Sequence, residues 1–410
     1  MHSHTHTWKA HANWKSWLAL SCGFGLMLYG CLFIYSATHA SDAFARTDLL
    51  HQPYIKQIIF YVMGTVLAFS ICWKDYQSLA RWAYPIYWIS IALLVMVLIP
   101  GIGSMRFGAR RWIDLGLFQF QPSELAKLTF LLAMAQFLSR PKNELAQPNQ
   151  LIKACGFALL PFLLVLAEPD LGSAIMFLPT GFAMLFIAGA PGWFMKRVLT
   201  GAILMIAFVL AYVFFVPNQW KPIKLPDYQQ RRLLVHFGTD YANHFGGANA
   251  TETEKRRWRA LQRQDSYNVA QAMISVGSGG LTGKGWTQGE QSNLGYLPRG
   301  VAHNDFIFSV IAEEWGLMRG SLPLLAMYGV LLAAGLHLAN RSRDRLAQIL
   351  ATGIVTLLFC HVFVNIGMNI RLVPVTGVPL PMVSYGGTSV LCFLAAFGLL
   401  LNIQLNHRSN

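Results

Sequence analysis

An aspartate and a histidine, two residues apart, stand at an abrupt change in the chain. His303 and Asp305 end a long polar stretch, and from Phe306 the sequence turns apolar through Ile-Phe-Ser-Val-Ile-Ala312. A carboxylate where water meets membrane can hold a shifted pKa, and both a soluble head group and a lipid tail can reach it. General acid–base chemistry on a lipid-linked substrate suits that placement. The alternative is that Asp305 only caps a helix starting at Phe306.

Other polar groups recur at similar boundaries. Arg110, Arg111 and Asp114 precede Gln121-Pro-Ser-Glu-Leu-Ala-Lys127, in which Pro122 and Ser123 suit a helix start. Glu124 and Lys127 lie three apart and share a helix face. They are either a structural ion pair or part of a cationic, hydrogen-bonding wall for a phosphate-bearing ligand. Glu168-Pro-Asp170 forms a turn that can bind a cation or cap the next helix. The stretch from Arg371 to Ser389 is too rich in proline and glycine for a simple helix. Irregular backbone at membrane depth is tolerated where it is buried in protein or lines a wet cavity. Ser384, Gly386, Gly387, Thr388 and Ser389 can offer donors to an anion there. At least one of Glu313 and Glu314 needs an internal partner, for which Arg319 is the nearest candidate in sequence. The glycine-rich run Ser275 to Trp286 lets backbone approach a ligand closely, but its spacing is not that of a nucleotide P-loop.

The elements that must position these groups are membrane helices. Of 410 residues, 54% are hydrophobic and 12% charged, and the mean hydropathy is +0.42. Soluble domains carry about 25% charged residues. Ten apolar spans are predicted, at about 17–36, 56–73, 82–100, 123–138, 153–167, 171–189, 197–216, 306–337, 348–370 and 387–404. The eighth is too long for one crossing, so 305–316 is expected to be a separate interfacial or re-entrant helix. The fold class is therefore an all-α polytopic membrane protein of about ten transmembrane helices. A large extracytoplasmic loop, 217–304, joins the seventh and eighth. Residues 1–16 form a cytoplasmic tail, 17–405 a single membrane domain, and 406–410 a second cytoplasmic tail.

Charge sets the orientation. Lys9, Lys15, Lys74, Arg81, Arg140, Lys142, Lys153, Lys196, Arg197, Arg341, Arg343, Arg345 and Arg408 fall on one side. The short loops of the other side hold only Arg46, Lys56, Arg106, Arg110, Arg111 and Arg371. The rule that basic loops stay inside places both termini in the cytoplasm. The formal net charge of +14 fits basic loops against anionic lipid and argues against nucleic acid as partner. Within the long loop, Thr251 and Glu254 form a capping box before a basic surface helix over 255–264. The six cysteines lie in apolar segments, show no CxxC pair and read as packing residues. The alternating histidines at 2, 4 and 6 belong to a tail, and Asn249-Ala-Thr251 matches a glycosylation sequon weakly.

Taken together, Gly108-Ala-Arg-Arg-Trp-Ile-Asp-Leu-Gly116, Phe120-Gln-Pro-Ser-Glu-Leu-Ala-Lys127, Glu168-Pro-Asp-Leu-Gly172, Asp227-Tyr-Gln-Gln-Arg-Arg232, Gly277-Ser-Gly-Gly-Leu-Thr-Gly-Lys-Gly-Trp286, His303-Asn-Asp-Phe-Ile-Phe308 and Gly377-Val-Pro-Leu-Pro-Met-Val-Ser-Tyr-Gly-Gly-Thr-Ser389 resemble the motifs of the SEDS family, in the family order. The resemblance is closer to the elongation branch than to the division branch. It implies a peptidoglycan glycosyltransferase in the bacterial inner membrane that polymerises lipid II. The substrates would be lipid II and a polyprenyl-pyrophosphate-linked glycan, and the partner a class B penicillin-binding protein. The family's catalytic aspartate falls on Asp305. Arg111, Glu124, Lys127 and Ser384 fall on positions lining its outer cavity. A divalent cation (Mg or Mn) is admitted but not required. Where the family has Pro-Glu-x-His-Thr before the aspartate, this chain has Pro298-Arg-Gly-Val-Ala-His-Asn304. The stretch 233–265 is longer and more basic than usual, and Arg319 replaces a small or apolar residue. The rival readings are a lipid II flippase, a division-type polymerase and a scaffold without chemistry of its own.

Overall fold

The structure is a computed structural model, and it describes residues 14–39, 49–106, 109–114, 116, 119–216, 227–246, 251–297 and 302–406. The N-terminal histidines, the sequon and residues 298–301 before the His303–Asp305 turn lie outside the described residues or only partly within them. All ten expected spans are helical. They are α1 Trp14–His39, α2 Pro53–Cys72, α3 Ala83–Leu98, α4 Pro122–Leu138, α5 Pro148–Ala167 and α6 Leu171–Ile187. The seventh is α7 Gly192–Phe215. In the long loop come α8 Asp227–Phe237, α9 Tyr241–Gly246 and α10 Glu252–Ser278. Then follow α11 Ile307–Trp315, α12 Leu322–Arg341, α13 Arg345–Asn369 and α14 Gly387–Leu405. Seven helical stretches among the described residues are long and apolar enough to cross a membrane, and α3 and α6 are shorter apolar helices. The chain is a multi-pass membrane protein.

α4 carries two charges and is sheathed by protein: from Pro122 to Leu138 almost every side chain is buried. α13 is the hub. It packs against α4 and α6 on one side and α11 and α12 on another, so both large apolar clusters of the membrane domain draw on it. A three-stranded antiparallel sheet lies before α4, with β1 Ser104–Arg106, β2 Ala109–Asp114 and β3 Gln119–Phe120 in that order.

The eighth span is two pieces, as the hydropathy suggested. α11 ends where Gly316 takes φ +68°, and a π-helical turn, Gly316–Ser321, leads into α12. α11 is buried from Ile307 to Glu314, so protein rather than lipid surrounds it. The glycine-rich run explains how. Gly283 (φ +81°) and Gly316 lie backbone to backbone, and a Cβ on either would overlap the other strand. Lys284 N donates to Glu313 O at 3.0 Å and Leu317 N to Gly280 O at 2.9 Å. The expectation that these glycines admit a ligand is thus corrected: they admit the chain's own backbone.

Candidate active site

Asp305 sits in the turn just before α11. The helix is capped at Phe306 with no side-chain hydrogen bond, so the capping reading of Asp305 finds no support in the geometry. Its main chain is held from two sides. Asn365 Nδ2 and Asn369 Nδ2, one turn apart on α13, each donate to Asp305 O at 3.1 Å. Asn365 Nδ2 also donates to Val378 O at 2.7 Å, and Ser309 Oγ donates to Asn369 Oδ1 at 2.6 Å. From the other side, Ser384 Oγ donates to Asn304 O at 2.6 Å and accepts from Leu380 N at 2.8 Å. Tyr385 N donates to His303 O at 2.9 Å.

The irregular segment between α13 and α14 is therefore a brace for the turn that carries Asp305. It is gripped in turn by Tyr61 Oη to Met382 O (2.7 Å), Tyr328 Oη to Pro381 O (2.5 Å) and Gln57 Nε2 to Ser384 O (3.2 Å). Ser384 and Thr388, which the sequence offers as donors to an anion, turn to backbone in this structure. Their hydroxyls are engaged with backbone, Thr388 Oγ1 donating to Gln119 O at 3.0 Å and accepting from Gln121 N at 3.2 Å.

Burial pushes the Asp305 carboxyl up to about 6. Arg232 opposes that shift, Asp170 reinforces it and Arg111 opposes it, in that order of size. These three groups therefore surround the carboxyl electrostatically. The neighbouring His303 is buried and stays neutral, its pKa lowered to about 4 by desolvation.

Arg111, on β2, is fixed against the turn between α5 and α6. Its Nε donates to Glu168 O at 3.2 Å, its Nη2 to Pro169 O, and its Nη1 lies 3.9 Å from Asp170 Oδ1. About a fifth of its side chain is exposed. Asp170 Oδ1 accepts from Ser173 N at 3.1 Å, so it does cap α6, and its Oδ2 accepts from Gln121 Nε2 at 3.1 Å. Glu168 does not cap. It is fully buried, and neither carboxyl oxygen has a hydrogen-bond partner among the described residues. Desolvation, then the charge of Asp170, raise its pKa to about 9 against the pull of Arg111, so it is a neutral acid at pH 7.

Glu124 and Lys127 form a 2.7 Å ion pair with both side chains 2% exposed. Lys127 Nζ also lies 3.0 Å from His361 Nε2 on α13, and His361 Nδ1 lies 3.5 Å from Pro379 O in the brace. His361, Asn365 and Asn369 are successive turns of one buried face. The chain Glu124–Lys127–His361 thus reaches the same brace that supports Asp305.

Glu313 corrects another expectation. Its partner is Lys284, at 2.9 Å, with further bonds from Gln291 N (3.1 Å) and Ser275 Oγ (3.3 Å). Glu314 accepts from Ser36 Oγ. Arg319 instead presents its carbonyl to Tyr29 Oη at 3.1 Å. No group of three or more His, Cys, Asp or Glu side chains that could hold a metal forms among the described residues.

The sequence profile of the FtsW/RodA/SpoVE family, described as cell cycle proteins, matches residues 16–409. The chain belongs to this family, the SEDS family. Among curated family members it is 36% identical to the peptidoglycan glycosyltransferase MrdB of Escherichia coli K12 over 387 residues, covering 93% of each chain. It is 33% identical to the stage V sporulation protein E of Bacillus subtilis over 380 residues, 92% of this chain and 94% of that one. Two solved SEDS-like folds superpose over 98% of this chain at 27% identity, each matched over its full length. One comes from a study of how a peptidoglycan synthase complex coordinates polymerization and crosslinking (TM-score 0.73). The other is the Thermus thermophilus rod shape determining protein RodA, solved as a point mutant (TM-score 0.66).

Against the family motifs, sequence reading missed Arg232, His361, Asn365 and Asn369 as site residues. Arg232 stood inside a quoted motif. The other three carry their signal as polar side chains every fourth residue of an otherwise apolar helix.

Proposed function

We propose that this protein is a peptidoglycan glycosyltransferase that polymerises lipid II, with Asp305 as general base. The observation that carries the assignment is the Asp305 carboxyl itself. It is braced through its backbone, feels the charges of Arg111 and Arg232, and titrates near 6. A base poised close to the working pH contributes on the order of 10²–10⁴ in rate.

In the proposed step the acceptor sugar's 4-hydroxyl loses its proton to Asp305 as its oxygen attacks the anomeric carbon of the lipid-linked glycan. The anomeric carbon–oxygen bond breaks, and the electron pair leaves with the polyprenyl pyrophosphate. Arg111, partly exposed beside the Glu168–Asp170 turn, meets the departing pyrophosphate. Lys127, pinned by Glu124 and His361, serves by fixing the brace and by its positive field. Ser384 contributes through the turn it holds. The reaction does not require a divalent cation, although one bound to the pyrophosphate would add to its neutralisation. The membrane is the bacterial inner membrane, with both termini cytoplasmic and Asp305 on the outer side. Cross-linking of the product falls to a class B penicillin-binding partner, a reading supported by the likeness to a synthase complex.

The flippase reading is disfavoured because Asp305, Arg111 and Asp170 converge at one end of the helices, whereas a transporter places polar groups near the bilayer midplane. The test is polymerisation of labelled lipid II by the purified chain with its partner, cross-linking blocked by a β-lactam. Asp305→Asn is expected to keep the fold and make no glycan. Glycan at the wild-type rate from that variant sinks the assignment.

A further inference from the structure

The helix α10 is unabsorbed by the proposed reaction. Its first half is basic, and the capping box is formed as expected: Glu254 N donates to Thr251 Oγ1 at 3.4 Å and Thr251 N to Glu254 Oε2 at 2.9 Å. With 27 residues it is about 40 Å long. Both of its ends are tied to membrane helices. Trp258 stacks on Phe245 at 4.8 Å and packs on a cluster that includes Val213 and Phe214 from the last turn of α7. At the far end, Gly279 lies so close to Ala312 of α11 that a Cβ would overlap its carbonyl. A rod that starts at the end of α7 and finishes beside Ala312, two turns beyond Asp305 in the buried α11, slopes from the helix ends toward the membrane interior.

At 100° per residue, one stripe of α10 contains Arg256, Arg259, Arg263, Tyr267, Ala270 and Ile274, and all six are exposed. Trp258, Leu261, Gln262, Asp265 and Ala272 lie on the opposite face, which is turned to the protein. Asp265 there is paired with Arg231 at 3.2 Å. The exposed acids near the basic end are Glu252, which pairs with Lys255, and Glu254, which is spent on the cap. The stripe therefore runs from three guanidinium groups through a tyrosine to an alanine and an isoleucine. That order is the gradient of a bilayer interface, from phosphate depth to acyl depth.

We propose that this stripe is a docking surface for anionic phospholipid head groups, with Arg256, Arg259 and Arg263 on the phosphates and Tyr267 and Ile274 below them. The surface is independent of the glycosyl-transfer chemistry. Interfacial arginines each contribute roughly fivefold to association with anionic lipid at low salt, and the attraction fades beyond a Debye length.

The test uses the full chain in phosphatidylcholine bilayers with trace spin-labelled lipid, comparing labelled phosphatidylglycerol with labelled phosphatidylcholine at the protein boundary. The wild type should prefer phosphatidylglycerol. The variant Arg256→Gln/Arg259→Gln/Arg263→Gln should lose that preference by at least about tenfold in relative association, since roughly fivefold per arginine compounds. Raising salt on the wild type should have the same effect without any substitution. An unchanged preference in the variant overturns the proposal. So does displacement of the lipid by millimolar inorganic phosphate, which would mark a soluble-anion site instead of a membrane surface.

Discussion

Removing the ammonium of Lys127 should expose how the buried charge pair works. Lys127 and Glu124 are each 2% exposed and 2.7 Å apart, so neither charge has water to fall back on. Lys127→Met strands Glu124 in an apolar interior, and breaking a buried pair from one side costs about 3–5 kcal/mol. Glu124→Gln keeps a hydrogen-bonding partner for Lys127, which retains His361 at 3.0 Å. It should cost less, about 1.5–3 kcal/mol. The double variant Glu124→Leu/Lys127→Met removes both charges and should return to within about 1–2 kcal/mol of wild type, since apolar replacement of a buried pair is often neutral. With Glu124→Leu measured alone to close the cycle, the coupling is large, at or above about 2 kcal/mol. Denaturant unfolding in detergent gives the stabilities, and lipid II polymerisation gives the turnover. Stability recovered with turnover still reduced is the expected pattern, because the apolar pair no longer reaches His361 and Pro379. Single variants as stable as wild type would refute the reasoning.

Three further outcomes follow from the same geometry. Asn369→Leu removes one of the two donors to Asp305 O while leaving the bond from Asn365 to Val378 O. Turnover should fall at unchanged substrate KM, and the acid limb of the pH–rate profile should move below about 6 as the turn hydrates, whereas a merely unstable protein would leave that limb in place. For Glu168, a folded pKa of about 9 lies above the ordinary carboxylate value, so the stability that its neutral form contributes is present below about pH 4.5 and lost progressively up to about pH 9. Glu168→Gln, which mimics the neutral acid, should match the wild type in activity at about pH 7 and exceed it in stability at about pH 8; an inactive variant there would show that the carboxylate itself is needed. Gly283→Val should fail to accumulate as folded protein, because a positive φ and the overlap with Glu314 O add strain on the order of 1–3 kcal/mol to a steric clash, and normal yield would remove the backbone-packing account of the glycine run.

The spans were legible because twenty apolar residues in a row have few other homes, and the helix starts because proline and capping boxes are local. Pro122 opens α4 and Thr251 caps α10 where the sequence placed them. The fate of the charges was less legible. Arg319 is close to Glu313 in sequence, yet Lys284 takes that carboxylate, because paired glycines let a distant loop lie against α11. Local spacing cannot report a backbone contact between residues so far apart in the chain. Ser384 read as a ligand donor because hydroxyls in irregular segments often are, but the broken backbone of 371–389 needed those hydroxyls for its own satisfaction. The buried face of α13 was readable in principle, since His361, Asn365 and Asn369 repeat every four residues. Its meaning needed the fold, which shows that two of them end on the carbonyl of Asp305.

The central claim is that Asp305 takes a proton in the rate-determining chemistry. Its most direct test is the rate of lipid II polymerisation by the purified chain with its partner between about pH 5 and 8, wild type beside Asp305→Ala. With the carboxyl held near 6, the wild-type rate should rise about tenfold per pH unit below that value and level off above it, while Asp305→Ala makes no glycan at any pH. A wild-type profile flat through about pH 6, or glycan from Asp305→Ala, would contradict the account.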